Sequence, residues 1–279
     1  MRCPRCGNTD KSYFYLGSKG YYCRKCIKFK RVLLNEELYP KEYPIKEESF
    51  HYDLKYALTP KQKIISDECA SLIDQSDVIL HCVCGSGKTE IVLKTISEYL
   101  KKKKKVCYAI SRREVVIDLY GRFKAIFDKA KVVMVCEGHT SDLYGDLIVC
   151  TTHQLYRYPK TFDLLILDEV DAFPFKGDEV LNNIALNATK GHIIYSTATV
   201  DEKIMGFISQ RESRTLSLYQ RPHLKPMIEP KIIMTPKLIG YWWLLYHLNN
   251  SHGQYIIFCE TKKQCLYTYY LLRLFFKTT

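Results

Sequence analysis

Residues 81–90, HCVCGSGKTE, constrain this 279-residue chain more than any other stretch. They follow an apolar run at 78–83 and open an amphipathic segment. Gly85-Ser86-Gly87-Lys88-Thr89 is the working end of a phosphate-binding loop. Its glycines let backbone N–H groups turn inward around phosphate oxygens, at a helix N-terminus whose dipole favours anions. In such a loop Lys88 reaches the β- and γ-phosphates of ATP and the Thr89 hydroxyl ligates Mg2+. The pattern G-x-x-x-x-G-K-[ST] has Cys82 in place of its first glycine.

Around the loop, short apolar runs alternate with helical periodicity from about residue 58. Strands are expected at 78–83, 106–110, 131–136, 146–151, 163–167 and 192–196. Helices are expected near 61–74, 88–104, 112–129, 176–188 and 201–210. Alternation of this kind predicts an α/β fold, a mostly parallel sheet covered by helices on both faces. The run DLLILDE at 163–169 is an apolar strand ending in two carboxylates, 80 residues beyond Lys88. Nucleotide sites lie at the carboxyl ends of parallel strands, which brings Asp168 and Glu169 beside the loop. Asp168 is the candidate Mg2+ holder and Glu169 the candidate for orienting and activating the attacking water.

Residues 1–28 read differently. Cys3-x2-Cys6 and Cys23-x2-Cys26 stand 16 residues apart, the spacing of a two-knuckle Zn2+ site. Two residues between thiolates let one tight turn point both sulfurs at one ion, and two such turns complete a tetrahedral shell. Four thiolates leave no open position for water, so the expected zinc is structural. A segment this short cannot fold on apolar burial alone, and metal binding would supply most of its folding energy. The other eight of the twelve cysteines show no comparable pairing. No apolar run precedes the first cysteines, so a reducing, cytoplasmic setting is expected. No stretch reaches the ~20 apolar residues of a membrane span. The net charge of +12 suits a phosphate-rich partner, while the run Lys101–Lys105 is expected to be a solvated helix end.

The organisation expected is a four-cysteine module (1–28), a polar connector (29–55), an ATP-binding domain (56–210), a second connector (211–235) and the start of another α/β unit (236–279). That last unit has a helix near 236–249, a strand at 254–259 and a helix from about 262.

Taken together, these motifs resemble those of superfamily 2 helicases, whose motor domains are RecA-like. Leu58-Thr59-Pro60-Lys61-Gln62 resembles their adenine-reading glutamine motif, in which Gln62 offers donor and acceptor to the base. Ser111-Arg112-Arg113-Glu114 and Thr151-Thr152-His153-Gln154 fall where that family's first-domain DNA contacts fall. The guanidinium of Arg112 or Arg113 and the hydroxyls of Thr151 and Thr152 suit phosphate oxygens, contacts that hold a strand without reading its sequence. An ordinary exposed helical turn remains the alternative for either arginine, and packing the alternative for His153. Ser196-Thr197-Ala198-Thr199 matches the S/T-A-T motif, with Ser196, Ala198 and Thr199 the coupling residues between nucleotide and DNA. CPRCG, CVCGSGKTE, SRREVV, TTHQL and DEVDAFPF narrow the resemblance to the ComFA family of late-competence ATPases, over about residues 1–275.

That resemblance implies ATP-driven movement on single-stranded DNA during its uptake. It places the chain on the cytoplasmic face of the membrane, among other competence proteins. The resemblance also implies an arginine finger in a Q-x-x-G-R-x-x-R motif of a second motor domain, and these 279 residues contain none. The expectation is therefore binding of ATP–Mg2+ with poor hydrolysis and translocation alone, the lost half being supplied by another chain or cut away. Two alternatives stay open: a PriA-like replication-restart helicase, against which the N-terminal cysteines and DEVD stand, and a non-catalytic, ATP-gated platform for DNA or protein.

Overall fold

The computed structural model of the chain describes residues 1–44, 52, 54, 56–200, 202–208, 211–224, 231–250 and 253–276. Parts of both expected connectors and the ends of the expected 201–210 helix lie outside the described residues. The chain divides into two compact units, Met1–Pro226 and Met227–Thr279.

Seven parallel strands carry the first unit: β3 (Asp77–Cys82), β4 (Val106–Ile110), β5 (Val132–Val135), β6 (Leu147–Thr151), β7 (Phe162–Asp168), β8 (Thr189–Thr197) and β9 (Ser213–Leu218). They lie in the order β5-β6-β4-β7-β8-β3-β9. Between them run α1 (Pro60–Leu72), α2 (Lys88–Lys101), α3 (Arg113–Ile126), α4 (Glu179–Ala188) and α5 (Glu202–Ile208). β4 and β6 are buried at every position, as strands covered on both faces must be. Alternate side chains feed two cores. Cys107 and Ala109 of β4 and Leu165 and Leu167 of β7 pack with α4 and the cysteine module. Val106, Tyr108 and Ile110, with Leu164 and Ile166, pack with α1, α2 and α3.

The strand order decides which motifs meet. β8 lies between β3 and β7, and β4 lies on the far side of β7. At the carboxyl edge, the loop after β3 therefore shares a rim with Asp168 at the end of β7, Ser196 in β8 and Arg112 just after β4. The rim's last member comes from β9, which lies in the stretch read as connector. Among the described residues β9 pairs only with β3, and before the buried Leu218 its residues are exposed or half-buried, so it has no apolar run to announce it. At the opposite edge, buried Asp77 accepts from the Ile193 N–H at 2.9 Å and pairs with Arg211 at 3.2 Å, tying β3, β8 and the approach to β9 together.

The module at the N-terminus contains a hairpin, β1 (Phe14–Gly17) and β2 (Gly20–Cys23), which no apolar periodicity announces. It shares the core of the first unit: Phe29 and Val32, from the stretch read as connector, are buried with the four cysteines. Phe29 packs its ring near those of His153 and Tyr156, and Lys25 and Lys28 pair with Glu179 and Asp178 at the start of α4. Beyond Val32 the chain stays on the domain. Lys105, expected in a solvated run, is buried, donates to the Lys41 carbonyl at 2.7 Å and lies over the Tyr43 ring.

The second unit contains α6 (Lys237–Asn249) and α7 (Lys262–Phe275). Tyr241 meets the Tyr267 ring edge-on, and its hydroxyl lies 3.3 Å from that of buried Thr268. The strand expected at 254–259 does not form. Its backbone has no partner strand among the described residues of this unit, and a strand exists only as a paired ladder. No helix of the described residues is long and apolar enough to cross a membrane.

Candidate active site and cysteine cluster

The loop between β3 and α2 is held by left-handed glycines. Gly85 and Gly87 have φ of +76° and +82°. At Gly87 a Cβ would also stand 2.4 Å from the amide nitrogen of Gln62. Thr59 caps α1 with Pro60 at its first turn, and Gln62 completes a capping box, its side-chain oxygen accepting from the Thr59 N–H at 2.8 Å. The Gln62 amide nitrogen then donates to the Ser86 carbonyl at 2.8 Å. The expected base-reading glutamine is thus bonded to the phosphate loop itself. An amide nitrogen carries two donors, and one is used in this bond.

The loop's donors face its own carbonyls. Ser86 N–H bonds Val83 O at 3.1 Å, and the Lys88 ammonium bonds Cys82 O at 3.3 Å. Arg221, which sequence reasoning missed, donates to Cys84 O at 2.9 Å and spans Gly85. Beside the loop a cleft of about 740 Å³ is walled by Leu54, Ala57, Leu58, Ala125, Ile126 and Pro222, with Gln62 and Gly87 on its rim. Apolar walls with a few polar groups at one end suit a planar base joined to phosphates.

Asp168 stands at the centre of the rim. Its carboxylate accepts from the Tyr108 hydroxyl at 2.6 Å, the Ser196 hydroxyl at 2.6 Å and the Glu169 N–H at 3.0 Å. Burial first, then the Asp168 charge, pushes the Tyr108 phenol well above its ordinary value, so it remains a donor. Thr89 acts on the same phenol in the opposite, lowering sense. The Asp168 carboxylate and the Thr89 hydroxyl, the two groups expected to hold Mg2+, are hard oxygens, a donor set that fits that ion. Glu169 adopts φ +54° and forms an ion pair with Arg112 at 3.6 Å, an electrostatic contact beyond hydrogen-bond length. Thr199 donates from its N–H and hydroxyl to Asp171, at 3.1 and 2.7 Å, and Val170 N–H bonds Ser196 O. Ala198 lies half-buried between these contacts. The Ser196–Thr199 tetrad is thus stitched to the 168–171 segment on both sides.

The expected DNA-contact residues separate. Arg113, Thr151 and His153 line one cleft of about 550 Å³, joined by Gln154 and Arg157. Arg113 is fixed there by donating to Glu137 O at 3.0 Å. Arg112 points to Glu169 instead. Thr152 is buried, and its hydroxyl has no hydrogen-bond partner. His153 is half-buried against Phe29, and burial, then Lys28, lowers its imidazole below the ordinary range. In the DEVDAFPF stretch, Phe175 is buried while Phe173 is 88% exposed.

The four paired cysteines come together as expected, every sulfur within 4.8 Å of the others. Cys3 and Cys26 are 3.7 Å apart and Cys6 and Cys23 3.8 Å. A tetrahedron with metal–sulfur bonds of about 2.3 Å has sulfur–sulfur edges of about 3.8 Å, so the cluster fits Zn2+.

Phosphate loop, paired carboxylates and parallel sheet together define a P-loop domain of the helicase type. The family model described as "Type III restriction enzyme, res subunit" matches residues 55–202, and the chain belongs to that family. Its sequence is 34% identical to the competence protein ComFA of Streptococcus pneumoniae over 237 residues, 83% of this chain and 54% of that protein. It is 32% identical to ComFA of Bacillus subtilis over 246 residues, 83% and 52% respectively. The resemblance to ComFA carried by the motifs holds at this level. Replication restart protein PriA of B. subtilis is 22% identical over 222 residues, 72% of this chain and 28% of that protein. The chain spans about half the length of the two ComFA proteins.

Proposed function

We propose that this chain forms the nucleotide-binding wall of an ATP-driven translocase that helps draw single-stranded DNA into the cell during competence. The observation that carries the reading is the single bonded group formed by Asp168, Ser196 and Tyr108 on the rim beside the Lys88 loop. Gly85, Ser86 and Gly87 would present amides to the phosphates, with Lys88 neutralising them. Thr89 and Asp168 would hold Mg2+, which when bound offsets phosphate charge. Glu169 would orient water. The Gln62 cleft would take the adenine. Arg113 and Thr151, in one cleft, would grip the strand, and Arg112 would report on it through Glu169. Cys3, Cys6, Cys23 and Cys26 would hold a structural Zn2+. Other DNA-uptake proteins on the cytoplasmic face of the membrane, and a chain or segment carrying the opposite arginine wall, are the expected partners.

Lys88→Ala tests this. ATP affinity should fall about tenfold to a hundredfold, the worth of charge-assisted contacts to phosphate. Binding of an oligothymidylate without nucleotide should stay within about threefold. Transformation should be lost in a strain carrying the variant. Normal transformation would sink the motor reading and favour a docking platform.

The Arg112–Glu169 pair carries a second test. A strand phosphate competes with Glu169 for the Arg112 guanidinium, so each ligand feels the other. Arg112→Ala should cut the effect of oligothymidylate on ATP affinity at least about threefold. Unchanged coupling would remove Arg112 from the route.

A further inference from the structure

The charge of this chain is concentrated. Residues 1–35 contain nine Lys and Arg and one acid, Asp10, a net of +8 within a whole-chain net of +12. A Zn2+ held by four thiolates would take two of those charges and leave the segment strongly basic. Salt bridges to α4 engage only Lys25 and Lys28. Arg24 and Arg31 remain exposed, each over an aromatic ring.

The hairpin presents those rings in a row. Tyr15 and Tyr22 are directly opposed across β1 and β2, so they share one face, and Tyr13, ending the 3-10 turn before β1, continues the ladder by accepting the Arg24 N–H at 2.8 Å. Tyr13 and Tyr15 are 42% and 45% exposed, and Tyr22 is half-buried. Arg24 lies 4.2 Å from the Tyr15 ring centre and Arg31 4.6 Å from that of Tyr22. The opposite face turns Cys23 into the cluster and half-buried Phe14 onto the core, while Leu16 and Tyr21, nearer the turn, stay exposed. The face bearing Tyr15 and Tyr22 is therefore aromatic and cationic, and Cys23 at the end of β2 ties the hairpin to the cysteine cluster.

We propose that this face of the hairpin, Tyr13, Tyr15 and Tyr22 with Arg24 and Arg31, is a second binding site for single-stranded nucleic acid, separate from the Arg113 cleft. Rings spaced along a strand suit stacking of successive bases, which a duplex keeps inside its helix. The guanidinium groups beside them suit the phosphates between those bases. Such a platform holds a strand without reading its sequence, and without ATP. It extends the single-strand reading above and rests on it only for the kind of partner.

The test measures fluorescence anisotropy of a labelled oligothymidylate of about twenty nucleotides on the full chain, without nucleotide. The triple variant Tyr13→Ala, Tyr15→Ala, Arg24→Ala should weaken binding at least about tenfold and flatten its salt dependence. It should keep its full zinc content and its ATP affinity, which shows that the module still folds. Tyr15→Phe, which preserves the ring, should bind within about threefold of the parent. Unchanged affinity in the zinc-loaded triple variant overturns the proposal and turns the basic face toward an acidic protein segment instead. Arg113→Ala serves as the other arm. If it alone weakens binding, the hairpin site falls and the single-strand reading stands. If the parent chain binds no oligothymidylate, both fall.

Discussion

Replacing Cys23 with Ser, or stripping the metal from the cysteine cluster, should lower the melting temperature of the first unit by about 10 °C or more. The hairpin has four residues in each strand, too few to be stable by itself. Its cysteines nevertheless share a core with Phe29 and Val32, which are buried against the sheet face that α4 also covers. Loss of the knuckles would release those side chains and uncover what they cover. Burying each such side chain is worth about 1.5–3 kcal/mol, and zinc affinity adds to this because the site is assembled only in the folded chain. A domain of this size moves about 2–4 °C per kcal/mol. Hydrogen exchange should rise first in residues 1–35 and then in α4, whose Glu179 and Asp178 lose their lysine partners. A variant with no bound zinc and an unchanged melting curve would defeat the structural-metal reading.

How much of this was legible depended on whether a residue's task is local. β3, β4, β5, β6, β7 and β8 are runs of buried apolar residues, and their order along the chain follows the 2.0 and 3.6 periodicities. The loop at Lys88 and the acids at Asp168 are set by what directly precedes them, so their positions could be read. β9 could not, because an edge strand with exposed Arg214 and Thr215 looks like a connector until β3 is beside it. Tyr108 looked like one more core residue. Its role follows from β4 lying next to β7, with Ile110 opposite Asp168, a register that no local pattern encodes. Arg221 depends on β9 in the same way. The strand expected at 254–259 fails for the converse reason: its local pattern is right, and no neighbour pairs with it among the described residues of its unit.

Replacing Asp168 should have two separable consequences, because the carboxylate holds the rim together and, in the function proposed above, would also hold the metal. In Asp168→Ala the buried Tyr108 and Ser196 hydroxyls lose their acceptor. Leaving such donors unsatisfied costs about 1–3 kcal/mol each. The melting temperature should fall by roughly 10 °C, and the Ser196 hydroxyl should no longer be tied to the end of β7, although its backbone stays paired there. In Asp168→Asn one oxygen still accepts from Ser196 and the Glu169 N–H, and the Tyr108 hydroxyl can turn to accept from the new amide. That variant should melt within about 3 °C of the parent. It has nevertheless lost the negative charge that a hard cation selects. Both variants should therefore bind ATP equally well with Mg2+ and with a chelator, whereas the parent should gain at least about tenfold from Mg2+. Measuring the two ratios beside the two melting curves separates the roles. If Asp168→Asn keeps the full Mg2+ gain, Asp168 serves only as the clasp between β7 and β8, and the metal must be held by other oxygens on the rim.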